Sequence, residues 1–260
     1  MKDTPFFKDT PRKTLDMAGR QIDFPILYYD LRYITGIFTV KTNKLRNLLP
    51  HSNFRPIEIW PGTGMLGITA FEYRDTSIGP YNEIAISVPV KFPPQFIFPG
   101  ITAVSMIRSN KFPVYIHHLP VTTDIALQVG VHFWNYPKFL AEITFEDQDE
   151  VVEITLKENG SLILKMISMR LPVRRSAEVQ FHTYSIKENV VMHGSAIGWA
   201  QSLGTRLIGE IAHLELGEHQ ISKELKELNL KENACSGQYA DGVMTKLYDS
   251  DQQWDVETLN

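Results

Sequence analysis

One lysine of the sequence stands in surroundings that favour nucleophilic chemistry. Lys138 directly follows Pro137, and no carboxylate is closer to it in sequence than Glu142. Its other close neighbours are apolar or aromatic, namely Phe133, Trp134, Tyr136, Phe139 and Leu140. An ammonium group in such company is poorly solvated, so we expect a fraction of neutral amine near neutral pH. A neutral amine is the form that attacks a carbonyl carbon. Without further information, a lysine exposed on a surface turn is the commoner arrangement.

The segment before this lysine is predicted to be a short apolar helix. Three residues can cap its start, because a side-chain oxygen accepts a hydrogen bond from a free backbone N–H: Thr122, Thr123 and Asp124. Apolar side chains then recur at helical spacing, at Ile125, Ala126, Val129, Phe133 and Trp134. Pro137 excludes the helical conformation at the residue before it, so the helix should end near Asn135. Lys138 is therefore expected on a turn directly after the helix.

Glu83 and a pair of histidines are the other candidates for chemistry. Glu83 stands at the start of the apolar run 84–90, where a strand-end residue that faces water is the ordinary interpretation. His117 and His118 suggest a metal site, but neighbouring side chains on a strand point to opposite faces. We therefore predict no metal site at this pair. Cys235 is the one cysteine, which excludes an intrachain disulfide and fits a reducing compartment.

The composition excludes several classes of function. The chain has 260 residues, 43% of them hydrophobic, which suits one large domain or two small ones. A net charge of −4 gives a nucleic-acid partner no electrostatic support. The first residues carry charges and prolines where a signal peptide needs an apolar run. No stretch reaches the ~18 apolar residues of a membrane span. We expect a soluble, cytoplasmic protein that binds neither nucleic acid nor membrane.

The pattern of strands and turns predicts a mostly β fold with a few helices. Many short strand-like segments separated by turn signals favour one mostly antiparallel domain over residues 25–249. Asn159-Gly160 is typical of a type I′ hairpin turn. Residues 1–24 are predicted to be an extended lead-in, because Pro5 and Pro11 oppose regular structure. The proline-rich segment 92–100 is predicted to be a loop, and residues 250–260 a frayed acidic tail.

Two turns of the sequence carry a pattern that points to a family. In one, an apolar helix with a glycine leads into an aromatic-Pro-Lys turn, formed by Gly130, Tyr136, Pro137 and Lys138. In the other, a Gly-x-Tyr-x-Glu turn precedes a strand that ends in Pro-Val, formed by Gly79, Tyr81, Glu83, Pro89 and Val90. Together these turns resemble the acetoacetate decarboxylase family. The resemblance implies that Lys138 is the Schiff-base lysine and Glu83 the active-site glutamate. It also implies a large antiparallel β-barrel or cone, with a helix that places the lysine in the cavity.

The sequence departs from that family at several positions. Phe139 stands where the family has a second lysine, while Val131 and His132 replace its usual Arg and Glu. Arg32 lies one position away from the family's active-site arginine, with Leu31 on the position itself. If burial favours the neutral amine of Lys138, the aromatic side chain of Phe139 next to it does not oppose that effect. Five residues are expected to contact the substrate: Arg32, Tyr81, Trp134, Tyr136 and Phe139.

The resemblance implies an enzyme that decarboxylates a β-keto acid such as acetoacetate through a lysine Schiff base. Acetoacetate decarboxylase is itself an established example of an activated lysine, so this mechanism comes from the family. Two alternatives stay open. The same imine chemistry could serve aldol, dehydration or hydrolysis steps on another oxo acid, or the barrel could only bind an apolar ligand. No cofactor or metal is expected. A small keto acid is the expected partner. Members of the family tend to form dimers and larger rings, so the resemblance implies a homo-oligomer.

Overall fold

The computed structural model describes residues 4–96, 98–173, 175–250 and 252–255, which form sixteen strands and five helices. The first eight strands are β1 Lys13–Met17, β2 Arg20–Phe24, β3 Ile26–Lys41, β4 Arg55–Pro56, β5 Glu58–Trp60, β6 Thr63–Thr76, β7 Tyr81–Lys91 and β8 Lys111–His118. The others are β9 Glu142–Asp147, β10 Val151–Glu158, β11 Ser161–Met169, β12 Arg175–Lys187, β13 Val190–Arg206, β14 Ala212–Leu216, β15 Ser236–Tyr248 and β16 Gln253–Asp255. The helices are α1 Pro5–Lys8, α2 Thr42–Leu48, α3 Ile101–Ser109, α4 Asp124–Trp134 and α5 Gln220–Glu227.

Seven strands close into a barrel. Their order is β7-β8-β12-β13-β15-β3-β6, and β6 pairs again with β7. Six of the seven pairings are antiparallel, and β8 with β12 is parallel. The predicted mostly β class and the large barrel are confirmed. β13 runs without a break through residues 190–206.

A four-stranded sheet packs against the outside of the barrel. Its order is β14-β11-β10-β9, and the predicted Asn159-Gly160 turn joins β10 to β11. Both turn residues have positive φ, 49° and 76°, as a type I′ turn requires. Alternation along β10 buries one of its faces, formed by Val152, Ile154 and Leu156. This face shares a hydrophobic core with outward-facing barrel residues, among them Ile34, Phe38, Leu66 and Ile68.

A second core fills the interior of the barrel. Side chains on β3 alternate, so that Leu31 and Tyr33 point into the barrel whereas Ile34 joins the outer core. Helix α4 contributes Ala126, Val129 and Trp134 to the inner core. The predicted helix is confirmed, and it ends one residue before Asn135. None of the described helices is long and apolar enough to cross a membrane.

Both ends of the chain differ from the prediction. Residues 5–24 are not a featureless lead-in, because α1 is followed by a hairpin in which Lys13 pairs with Phe24. Pro5 is tolerated there because the first turn of a helix leaves its N–H groups without intrahelical partners. The tail is also ordered in part, since β16 pairs with β13 from Val190 to Met192. Residues 1–3, 251 and 256–260 lie outside the described residues.

A β-bulge overturns the argument made for the two histidines. In the pairing of β7 with β8, Ile86 lies opposite His118 but the next residue, Ser87, lies opposite Ile116. His117 is therefore an extra residue, and the usual alternation fails at this point. Ile116 and Leu119 both line the interior, whereas His117 and His118 both face Glu224 on α5. The prediction that the two histidines point to opposite faces is wrong.

Candidate active site

Lys138 enters the barrel from the turn that follows α4. Asn135 ends the helix in the left-handed conformation at φ 50°, which asparagine tolerates better than most residues. Its N–H donates to the carbonyl of Val131 at 3.0 Å, and the N–H of Lys138 donates to the carbonyl of Tyr136 at 2.7 Å. This tight reversal sends the lysine side chain back along the helix. The side chain is 5% exposed, so its amine lies inside the protein.

Gly130 makes room for the lysine on the helix surface. A β-carbon at this position would lie 2.5 Å from Cδ of Lys138 and 3.3 Å from its Nζ. Carbon atoms in contact stay about 3.5–4.0 Å apart, so any side chain here would displace the lysine. The glycine of the sequence pattern is therefore a steric requirement of this site.

Glu83 faces Lys138 across one short extended segment. Val121 forms a bridge to Glu83 on one side and to Leu140 on the other, and its N–H donates to the carbonyl of Phe139 at 2.9 Å. This backbone link sets the distance between β7 and the lysine turn. Across it, Nζ of Lys138 forms a hydrogen-bonded ion pair with Oε2 of Glu83. The Glu83 side chain is 8% exposed, so both charged groups are buried.

The ion pair and the burial act on the amine in opposite directions. Burial disfavours a charged Nζ, whereas a carboxylate in contact favours it. Transfer of one proton from Nζ of Lys138 to Oε2 of Glu83 would remove both charges together and release the amine. The expectation that a fraction of the Lys138 amine is neutral near neutral pH stays a prediction.

Three tyrosines surround the carboxylate of Glu83. The hydroxyl of Tyr73 donates to Oε1 of Glu83 at 3.1 Å, and the hydroxyls of Tyr28 and Tyr81 lie 3.1 Å apart. The ring of Tyr81 also lies 5.9 Å from Nζ of Lys138. Burial raises the pKa of all three phenols, and the charge of Glu83 adds to the shift. These hydroxyls therefore remain protonated donors around the carboxylate.

Trp134 and Tyr136 form the wall of the cavity next to the lysine turn. Their rings stack with centroids 5.5 Å apart, and the hydroxyl of Tyr136 lies 2.5 Å from Oγ1 of Thr183. Burial raises the pKa of Tyr136. Nε1 of Trp134 is buried without a hydrogen-bond partner among the described residues. It is a donor that a bound ligand could use.

The cavity around the ion pair is mostly apolar, with hydroxyl groups and the amide of Gln238 among its lining. Among the described residues that line it, Lys138 and Glu83 alone have charged side chains. On β3 the lining extends from Ile26 to Ile37, about 36 Å along the strand. The remaining lining is dominated by aliphatic and aromatic side chains, among them Phe71, Phe112, Val129, Val179, Phe181 and Leu247. A ligand whose carbonyl reaches Lys138 would therefore lie in apolar surroundings.

The family model described as Acetoacetate decarboxylase (ADC) matches residues 9–250 of the chain. The chain belongs to the acetoacetate decarboxylase family. This confirms the resemblance on which the assignment of Lys138 and Glu83 was based. No curated protein matches the chain.

Solved structures of the family share the fold at low sequence identity. A structure from studies of acetoacetate decarboxylase aligns with a TM-score of 0.62 and 15% identity over 88% of each chain. The acetoacetate decarboxylase from Legionella pneumophila aligns with a TM-score of 0.58 and 13% identity over 90% of each chain. The enduracididine biosynthesis enzyme MppR, with HEPES buffer bound, aligns with a TM-score of 0.59 and 10% identity over 91% of this chain and 90% of its own. At these identities the structures establish the fold.

Arg32 does not take the position expected for the family's arginine. It follows Leu31, which points into the barrel, so alternation sends Arg32 to the outside. There Nε donates to Glu72 at 3.0 Å and Nη1 to Asp147 at 2.6 Å. The hydrogen bond and charge of Asp147 raise the pKa of Arg32 against the effect of burial, and the guanidinium stays charged. Arg32 is outside the cavity lining, so we leave it out of the site proposed below.

The other candidates from the sequence separate into two groups. Tyr81, Trp134 and Tyr136 line the cavity together with Lys138 and Glu83. Phe139, in contrast, packs against the outer core and is not part of the lining. His132, which departs from the family pattern, is exposed on α4. The aromatic residue at position 139 therefore contributes to packing rather than to a surface for substrate.

Sequence reasoning missed two tyrosines near Glu83: Tyr73, which donates to its carboxylate, and Tyr28, which forms a hydrogen bond with Tyr81. Neither residue was among the candidates predicted from the sequence. A signal was present, because the hairpin between β6 and β7 pairs Tyr73 with Tyr81 and Phe71 with Glu83. Cross-strand pairing of this kind brings side chains on one face within reach of each other. The register of the hairpin would have indicated Tyr73 as a neighbour of Glu83.

Proposed function

We propose that the protein is a Schiff-base-forming decarboxylase that acts on a β-keto acid, with Lys138 as its nucleophile. The observation that carries this proposal is the buried pair of Lys138 and Glu83 in an otherwise uncharged cavity. Family membership supports the same chemistry. No cofactor is required, because the protonated imine itself serves as the electron sink.

The first step needs a neutral amine. Glu83 accepts the proton from Nζ of Lys138, which leaves the nitrogen lone pair free to attack the ketone carbon of the substrate. Glu83 returns its proton to the hydroxyl group of the resulting carbinolamine, which leaves as water. An imine protonated on nitrogen remains, beside a Glu83 that is ionised again. The hydrogen bond from Tyr73 to Oε1 holds the Glu83 carboxyl group in place during this transfer.

The second step breaks the bond between the carboxylate and the α-carbon. The electron pair of that bond moves toward the positively charged imine nitrogen, carbon dioxide leaves, and an enamine remains. A proton added to the α-carbon restores the imine, and water then hydrolyses it to the ketone product and the free amine of Lys138. Glu83 lies beside the nitrogen throughout and offsets its positive charge.

The lining of the cavity favours a substrate that carries an apolar body. Apolar side chains extend far beyond the reach of Lys138, and burial of apolar surface contributes about 25 cal/mol per Å² to binding and folding. A β-keto acid with an aliphatic or aromatic substituent would fill this region. The unpaired Nε1 of Trp134 is a donor for a substrate oxygen.

A second function uses the same imine without loss of carbon dioxide. The described lining contains no arginine to hold a carboxylate. A solved structure also bears on this function, that of MppR complexed with the condensation product of pyruvate and imidazole 4-carboxaldehyde. It aligns with a TM-score of 0.52 and 9% identity over 87% of this chain and 88% of its own. An aldol, dehydration or hydrolysis step on another oxo acid would need Lys138 and Glu83 in the same places. We keep it as the alternative.

Reduction of the imine tests both versions. The protein is mixed with acetoacetate, or with a β-keto acid that has a longer apolar chain, and sodium borohydride is added. Peptide mapping should find the reduced adduct on Lys138. The variant Lys138→Met should give no adduct, whereas Lys157→Met, which removes an exposed lysine of β10, should behave as the unaltered protein does.

The outcomes separate the candidate functions. Carbon dioxide release together with an adduct on Lys138 supports the decarboxylase. An adduct without release from any acid of the panel supports the alternative imine chemistry. A third outcome is that the keto acids bind without any adduct and that Lys138→Met binds them with the same affinity. The barrel would then only bind an apolar ligand, and the proposal would be overturned.

We further propose that the protein acts in the cytoplasm as a homo-oligomer. Large apolar side chains are exposed in the single chain, three of them within residues 96–101: Phe96 at 74%, Phe98 at 57% and Ile101 at 69%, with Trp60 at 73% elsewhere in the sequence. Exposed apolar groups of this kind are typical of surfaces that are covered by a partner. Light scattering on the purified protein measures the assembly directly, and a monomer at working concentration would contradict this.

A further inference from the structure

A second group of chemically capable side chains lies outside the barrel, where α5 packs on β8. Nε2 of His118 lies 3.3 Å from Oε2 of Glu224, and Nε2 of His117 forms a hydrogen bond with Oε1 of the same carboxylate. The ligand atoms of these three residues all lie within 4.8 Å of one another. We propose that His117, His118 and Glu224 bind a divalent transition metal ion of the zinc type.

The local backbone is built to bring the two imidazoles together. Side chains on a regular strand alternate, so adjacent histidines would lie on opposite faces. The bulge at His117 removes that alternation and turns both rings to the outer face, with ring centroids 4.4 Å apart. β-Bulges commonly re-aim a side chain in this way. Glu224 then approaches from α5, so the three potential ligands come from two separate elements.

The donor set and its dimensions suit zinc. Zn²⁺ binds imidazole nitrogen and carboxylate oxygen at about 2.0–2.2 Å in tetrahedral geometry, which places neighbouring ligand atoms about 3.3 Å apart. The Nε2 to Oε2 distance of 3.3 Å between His118 and Glu224 equals this separation. The ring of His117 would have to move outward slightly to admit an ion. Mg²⁺ and Ca²⁺ prefer sets of six or more oxygen atoms, which these residues do not supply.

The position of the group indicates a structural role. Ile116 and Leu119, on either side of the histidines, point into the barrel, so the metal would lie on the opposite surface from Lys138. The side chains are 18–29% exposed, which leaves the ion a path from solvent and a fourth position for water. The metal would tie α5 to β8. The chain directly after β8 also holds the Lys138 turn, because the N–H of Leu119 donates to the carbonyl of Pro137 at 3.1 Å.

Metal binding can be measured without any assay of catalysis. Full-length protein without an affinity tag is treated with a chelator, dialysed and titrated with Zn²⁺ in competition with a chromophoric chelator. We expect one Zn²⁺ per chain and a rise in the thermal unfolding temperature on addition of Zn²⁺, with no effect of Mg²⁺. His118→Asn and Glu224→Gln should each weaken binding by at least about 10-fold. His132→Asn, which changes an exposed histidine elsewhere, should bind as the unaltered protein does.

A measurement on the unaltered protein guards against variants that fold poorly. Co²⁺ in a tetrahedral site of nitrogen and oxygen ligands gives visible absorption of characteristic intensity, and Zn²⁺ should displace it. Zinc bound below one equivalent per five chains, or no tetrahedral Co²⁺ spectrum, would overturn the proposal. Unchanged affinity in folded His118→Asn and Glu224→Gln would do the same, and the three residues would then be a hydrogen-bonded ion pair only.

Discussion

Replacement of Gly130 by alanine tests the geometry of the site with a single methyl group. The β-carbon would lie 2.5 Å from Cδ of Lys138 and nearer still to Cε. Since carbon atoms in contact are about 3.5–4.0 Å apart, the lysine side chain must move by about 1 Å or more. Gly130 lies within α4, so the helix itself accepts alanine without strain.

The expected effect on stability is small, whereas the effect on chemistry is large. Alanine in place of glycine favours a helix by up to about 1 kcal/mol. Overpacking against Lys138 costs about 1–3 kcal/mol, so the net loss of stability is about 0–2 kcal/mol. A displacement of about 1 Å at a reacting group costs about 100-fold in rate. This corresponds to about 2.7 kcal/mol in the activation free energy.

The assay compares imine trapping with unfolding in the same variant. Gly130→Ala should show a rate of borohydride-dependent adduct formation on Lys138 that is lower by about 100-fold. Its free energy of unfolding in urea should fall by no more than about 2 kcal/mol, so the variant stays folded without denaturant. Val131→Ala, on the exposed face of the same helix, controls for general effects of substitution in α4. A folded Gly130→Ala variant that traps the imine at the original rate would refute the packing of Lys138 against this glycine.

Three further changes test the roles of individual groups. Arg32→Gln removes ion pairs with Glu72 and Asp147 outside the cavity, so unfolding in urea should show a loss of about 1.5–3 kcal/mol. Its imine trapping rate should be unchanged, and a slower rate would return Arg32 to the site. Tyr73→Phe removes the donor to Oε1 of Glu83 and should slow trapping by about tenfold, the equivalent of about 1.4 kcal/mol; an unchanged rate would exclude a positioning role. Burial raises the pKa of five tyrosines, which stay protonated in the folded protein but ionise near pH 10 when it unfolds: Tyr28, Tyr33, Tyr73, Tyr81 and Tyr136. The contribution of these tyrosines to stability in urea should therefore be constant below about pH 10 and fall above it, by up to about 1.4 kcal/mol per pH unit for each tyrosine; a flat profile from pH 10 to pH 11.5 would contradict the burial of these phenols.

Local patterns were enough to predict the elements that carry the lysine. The spacing of apolar residues and the proline at 137 set both ends of α4, because these signals act over a few residues. The Asn159-Gly160 turn was predictable for the same reason. In the N-terminal segment Pro5 misled us, since proline opposes helix interiors but not the first turn of a helix.

Contacts between distant strands could not be predicted in the same way. The outward direction of Arg32 depends on the register of β3, which is set by its pairing with β6 and β15. A shift of one residue would reverse the face on which every side chain of the strand lies. The bulge at His117 likewise exists only in the pairing of β7 with β8. One residue of register therefore decides both whether Arg32 faces the cavity and whether the two histidines face the same side of the strand.

The buried pair also explains why an apolar cavity can support the proposed reaction. A protonated imine carries the same single positive charge as the ammonium of Lys138, at nearly the same nitrogen position. A cavity in which a buried carboxylate, Glu83, already contacts this nitrogen needs little rearrangement to stabilise the imine, which is the condition for electrostatic preorganisation. The substrate carboxylate has no second cation among the described lining residues. Its conversion to neutral carbon dioxide removes a charge from apolar surroundings, so the same lining that disfavours the bound acid favours its decarboxylation.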